Sequence, residues 1–102
     1  MKMIGARLLA VAPGEIHVDL PVRADLTQQR GYVSAAIVTA IVDVACGYAA
    51  MSLFPAGVDV VTVEYKVNFV SPARGERLFA HGRVVKPGRR FTVCAGEVYV
   101  DG

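Results

Sequence analysis

Asp43 is the only charged side chain between Gly31 and Val58, in the middle of an otherwise apolar run that ends at Phe54. A carboxylate in such a run is expected to be at least partly desolvated. That costs several kcal/mol unless it finds partners or stays protonated. Carboxylates held in this way serve as general bases and nucleophiles. The other groups able to handle protons or metals at neutral pH are His17, His81, Cys46 and Cys94. Neither histidine stands at a triad spacing with either cysteine, and both read as strand-surface residues. The cysteines lack CxxC or His/Cys ligand spacing, so they read as reduced core thiols and no metal is expected.

Asp43 needs an element to carry it. The run from about Val33 to about Leu53 predicts a long helix, with Ser34 capping or beginning it and Pro55-Ala56-Gly57 ending it. Its apolar residues go all the way round, which predicts burial on most sides. Ala35, Ala36, Ala40, Ala45, Gly47, Ala49 and Ala50 are small, so a sheet can approach the helix backbone closely. Before the helix, residues 4–11 and 14–22 read as two strands around Pro13-Gly14, followed by a polar loop at 24–31. After it, 58–70 shows the clearest alternation. Val61, Val63, Tyr65, Val67 and Phe69 share one face, and Thr62, Glu64, Lys66 and Asn68 share the other. Residues 77–86 and 90–100 read as further strands around Pro87-Gly88-Arg89, completing an antiparallel meander of three. Two strands, a long helix and three strands predict an α+β fold in which an antiparallel sheet curves around one helix.

With 102 residues the chain reads as one domain, 1–102, and its 54% apolar content is high for a lone small monomer. That surplus predicts an oligomer interface. The net charge of +2 is too weak, and its basic residues too scattered, for nucleic acid. Arg83, Lys86, Arg89 and Arg90 make a mild cluster, which with Arg74 reads as a solvated face. The run from Gly31 to Phe54 is long enough to span a bilayer, but Asp43 at mid-bilayer would cost about 2.5–3.5 kcal/mol, so no membrane segment is expected. Met1-Lys-Met-Ile lacks the pattern of a signal peptide, and a cytoplasmic location is expected.

Three separated motifs, in order and spacing, resemble the PaaI-like (phenylacetic-acid-degradation-type) acyl-CoA thioesterases of the hotdog fold. They are Leu26 to Ala50 around Asp43, Val61 to Glu76, and Gly82 to Cys94. The resemblance covers nearly the whole chain, from about Gly5 to Val100. It implies a long central helix wrapped by a curved antiparallel sheet, here short of the usual last strand, which would leave a sheet edge exposed. It also implies hydrolysis of an acyl-CoA thioester to an acid and free CoA, without metal or cofactor, in a homodimer or homotetramer whose site is shared across the dimer.

By resemblance, Asp43 matches the helix aspartate that acts as general base or nucleophile, and Thr62 the strand hydroxyl that orients water. Ala35 matches the position whose backbone N–H polarises the thioester carbonyl. Gln28 or Gln29 matches the polar amide before the helix, and Gly31 and Gly47 fall in the substrate-facing part. Three positions depart from the family: Ser34 stands for its His, Ala36 for its second Gly, and Arg30 for the His of Gln-Gln-His-Gly. An Arg at 30 would either pair with Asp43 or hold a CoA phosphate. These departures imply reduced or altered activity. Two rival readings remain: an impaired hotdog module that binds acyl-CoA or only a protein partner, and a hotdog hydratase or dehydratase. The hydratase is disfavoured because no His lies near the helix.

Overall fold

The computed structural model describes residues 6–22, 32–58, 60–71 and 73–101. Strands β1 (Arg7–Ala12) and β2 (Glu15–Pro21) form a hairpin. Helix α1 (Ala35–Met51) follows, then strands β3 (Arg77–Lys86) and β4 (Val93–Asp101). All four strands lie in one antiparallel sheet in the order β1-β2-β3-β4. Bulges between Leu8 and Ala10 and between Val84 and Lys86 interrupt the registers. Bulges bend and twist the strands that carry them, which is how such a sheet curves around a helix.

Alternation sorts the sheet into two faces. Ile16, Val18 and Leu20 of β2 oppose Gly82, Ala80 and Leu78 of β3, and together they face the helix. Leu20, Ile41 and Leu78 are fully buried, each contributing about 1.5–3 kcal/mol relative to exposure. Along β3 the helix-facing side chains shrink from Leu78 through Ala80 to Gly82, and Gly82 pairs across to Gly96. The helix backbone settles into the trough this glycine pair leaves. A Cβ on Gly82 would lie 2.5 Å from the Ala45 carbonyl carbon and 2.6 Å from the Cys46 nitrogen. One on Gly96 would lie 2.7 Å from Val42. The small residues of the helix thus do what their pattern predicted. Gly82→Ala is expected to lower stability by about 2–3 kcal/mol, read as a fall in the urea midpoint, because backbone rather than a pliable side chain must give way.

The hairpin tip is tied to the far end of the helix. Gly14, with a left-handed φ of 74°, donates its N–H to Ser52 Oγ at 2.6 Å. Ser52 Oγ in turn donates to the Ala49 carbonyl at 2.6 Å.

The structure corrects three expectations. First, α1 is not buried on most sides: Ile41, Ala45, Ala49 and Ala50 are buried, while Ala35, Ala36, Asp43 and Tyr48 are exposed. One sheet covers one face of a helix. Second, among the described residues 58–70 joins no strand ladder, so the expected three-strand meander is a two-strand one. Val61, Val63 and Val70 are 84%, 75% and 93% exposed. Alternation marks a chain able to pair, and pairing needs a neighbouring strand, which β4 does not provide. Third, among the described residues the buried carboxylate is Asp19 rather than Asp43. Asp19 is fully buried on the outer sheet face, where Arg7 donates to both its oxygens at 3.0 and 2.7 Å and Arg77 donates from the neighbouring strand. Among the described residues, no helix is long and apolar enough to cross a membrane.

Candidate functional site

Asp43 is two residues from Ala45, about 200° around the helix. With Ala45 seated on Gly82, Asp43 must point away from the sheet, and it is exposed. What meets it there is the 60–70 segment: Thr62 Oγ1 donates to Asp43 Oδ1 at 2.6 Å. Two residues 19 positions apart, each matched separately by resemblance, thus touch directly.

The helix start is built by Ser34. Its φ of −57° and ψ of 139° are extended, and its Oγ accepts the Ala36 N–H at 3.2 Å. Its carbonyl accepts from Ile37 at 3.0 Å and Val38 at 3.1 Å. Ser34 thus takes up the second, third and fourth N–H groups of the first turn. The Ala35 N–H, the first of the helix, has no acceptor within it and stands at the positive end of the helix dipole. Val33, just before, is buried and donates to the Ala73 carbonyl at 2.7 Å, which fixes where the helix begins.

Between these points lies an open hollow of about 410 Å³ lined by Ala35, Ala36, Thr39, Ala40, Asp43 and Tyr65. The helical members recur at one-turn spacing, which puts them on one stripe. Thr39 and Tyr65 were not singled out from the sequence. Thr39 stands four residues before Asp43, a spacing that marks it as a same-face neighbour. Tyr65 carried no such signal, because its position depends on how 60–70 lies against the helix. Gly47 is one turn beyond Asp43, where an added Cβ would lie 4.0 Å from Val60, outside the hollow's lining. Gln28, Gln29, Arg30 and Gly31 lie outside the described residues.

Cys46 borders the site. Burial, then Cys94 and then Asp43 push its thiol up to about 11, so it stays protonated at neutral pH. Cys94 donates its S–H to the Cys46 carbonyl at 3.6 Å, so the two cysteines are neighbours in the fold. Tyr48 and Met51 line a second, apolar hollow of about 240 Å³ with Leu8, Val11, Ile16 and Ser52. Among the basic residues, Arg83 holds Glu97 at 2.7 and 2.8 Å, and Arg74 lies over the Tyr32 ring at 5.6 Å.

The profile of the Thioesterase superfamily matches residues 30–102. A thioesterase family protein from Silicibacter pomeroyi is 46% identical and superposes with a TM-score of 0.95, over 98% of this chain and 74% of that one. A point mutant of the phenylacetic acid degradation protein PaaI from Thermus thermophilus is 28% identical, with a TM-score of 0.85, over 97% of this chain and 84% of that one. A Halobacterium salinarum protein described as a candidate esterase is 30% identical over 105 residues, which is 98% of this chain and 68% of the relative.

Proposed function

Because the chain belongs to the thioesterase superfamily, and is a hydrolase of the PaaI-like hotdog type, we propose that it hydrolyses acyl-CoA thioesters with Asp43 as the reacting carboxylate. The observation that carries this reading is the 2.6 Å bond from Thr62 to Asp43 at an open hollow. Thr62 spends its proton on Asp43 Oδ1, so its oxygen is left to accept from a water. Asp43 Oδ2 then takes that water's proton as the water oxygen attacks the thioester carbon. In the alternative Asp43 Oδ2 attacks the carbon itself, and water afterwards hydrolyses the acyl anhydride so formed, which frees the acid and restores the carboxylate. The carbonyl oxygen becomes an oxyanion, held by the Ala35 N–H. Collapse breaks the C–S bond, and the CoA thiolate leaves to be protonated. By resemblance alone, Gln28, Gln29, Arg30, Gly31, Ala36 and Gly47 are proposed as the positions flanking the substrate, with Ser34 setting the helix start.

Helix geometry adds a requirement. Ala35 and Asp43 are eight residues apart on one helix, a rise of about 12 Å. A reacting carbonyl needs both groups at about 3 Å. One chain therefore does not bring its own Ala35 and Asp43 to the same thioester. In the proposed site Asp43 comes from one protomer and Ala35 from another, in a homodimer or a homotetramer of such dimers. Two observations support that assembly: the hollow is open in the single chain, and Val61, Val63, Tyr65, Phe69 and Val70 form an exposed apolar stretch beside it.

The test is release of free thiol from a panel of aryl- and alkyl-CoA thioesters. Thr62→Val is expected to lower kcat about 10-fold, the worth of one hydrogen bond to a charged group, with KM little changed and Thr62→Ser restoring the rate. Unchanged kcat in Thr62→Val would remove that residue from the mechanism. A second reading, an acyl-CoA-binding module without turnover, draws on Ser34, whose side chain is engaged in capping and offers no orienting imidazole. Thermal stabilisation by acyl-CoA without thiol release would favour it.

A further inference from the structure

The sheet face turned away from the helix carries a cluster with no part in the chemistry above. His17 and His81 are direct cross-strand partners on β2 and β3, and their rings stack with centroids 4.2 Å apart. Glu15, two residues before His17 on the same face, places Oε1 2.5 Å from His81 Nε2 and 3.7 Å from His17 Nε2. On its other side His17 opposes Ala10 of β1, which leaves that flank open. We propose that Glu15, His17 and His81 form a binding site for a divalent transition cation of the zinc class.

Two imidazoles and one carboxylate are the donor set such cations take with three protein ligands, leaving a remaining position to water. Bonds of about 2.0–2.2 Å at tetrahedral angles require ligand atoms about 3.3 Å apart. The observed 2.5 and 3.7 Å bracket that spacing, and one donor atom from each of the three residues lies within 4.8 Å of the others. Seating an ion needs each stacked ring to tilt toward it about its last torsion, which is broad for histidine. All three side chains are reached by solvent, with His81 the most enclosed at 20%.

The surroundings also fit. His81 Nδ1 lies 3.6 Å from Glu97 Oε1, a carboxylate placed behind the ring, which is the arrangement that orients metal-bound histidines. Arg83 is the nearby cation that would repel an ion. Glu97 holds it through two hydrogen bonds at 2.7 and 2.8 Å, so its charge is compensated. His17 and His81 stand 64 positions apart in the chain, so no local ligand spacing marks them as partners.

His17 and His81 are the chain's two histidines, so imidazole NMR signals report the site without any variant. One equivalent of Zn2+ added to the untagged full chain is expected to shift both signals together, and calorimetry to give one ion per chain. His17→Gln and Glu15→Gln are each expected to weaken Zn2+ binding about 10-fold or more, with far-ultraviolet circular dichroism unchanged. Zn2+ that shifts neither signal, or only one, overturns the site. So does Zn2+ that binds folded His17→Gln as tightly as the parent. The three side chains would then be a hydrogen-bonded cross-strand cluster and nothing more.

Discussion

Asp43→Asn is expected to lower kcat toward acyl-CoA thioesters by about 10²–10⁴-fold while the protein keeps its fold and oligomeric state. The isosteric amide preserves the contact with Thr62, since its oxygen still accepts the hydroxyl proton that Asp43 Oδ1 accepts at 2.6 Å. What it removes is the base or nucleophile at the second oxygen. Stability should hardly change, because Asp43 is exposed on the helix and no charge is left buried without a partner. Free-thiol release under saturating substrate, with size-exclusion chromatography alongside, separates loss of chemistry from loss of assembly. An Asp43→Asn protein that turns over at the parent rate would sink the mechanism.

The second large effect is expected at a backbone atom. Ala35→Pro deletes the N–H proposed to hold the oxyanion, at a position that tolerates proline. Ala35 is the first residue of α1, where a helix needs no donor and proline's fixed φ is suited to the start. The preceding residue must be extended, and Ser34 already has ψ of 139°. The expected fall in kcat is about 10²–10³-fold, the worth of one oxyanion donor. The circular dichroism spectrum should be unchanged. Mixing Ala35→Pro with Asp43→Asn then tests the shared site. If each thioester meets Asp43 of one chain and Ala35 of another, mixed dimers rebuild one intact site. Dissociation and reassociation of the two inactive proteins should then restore part of the activity. No recovery from demonstrably mixed dimers would place both groups within one chain's reach and overturn the two-chain arrangement.

Much of the fold was legible because its signals are local. Ser34 announced the helix start by a chemistry that needs only the next two residues. In β2, Ile16, Val18 and Leu20 alternate with Glu15, His17 and Asp19, which marks the face that meets the helix. The small residues of α1 announced the close approach that Gly82 and Ala45 make. The misreadings share a cause, which is that burial belongs to neighbours rather than to patterns. Asp43 sits in an apolar run and is exposed, because a sheet covers only one face of its helix. Asp19 sits on the alternating strand β2 and is fully buried, because Arg7 and Arg77 close over it from strands on either side. Residues 58–70 have the plainest strand pattern in the chain and join no ladder among the described residues, for want of a strand beside them. Of the site, Asp43 stands out as the one charge in its run and Thr62 only by family resemblance, while their contact depends on how 60–70 meets the helix. Tyr65 was beyond both routes, since nothing in the sequence shows how its segment crosses the helix.

The contact between Gly82 and the Ala45 backbone reaches further than stability. It locks Asp43 and the Ala35 N–H to the same unit that holds the core together, so substitutions beneath them threaten folding before they retune chemistry. Thr62 and Tyr65 ride on a stretch that contributes few buried side chains, so changes there spare the core. The fold thus separates the two groups of the proposed site: the carboxylate is carried by the unit that holds the core, and its hydroxyl partner by a stretch outside it.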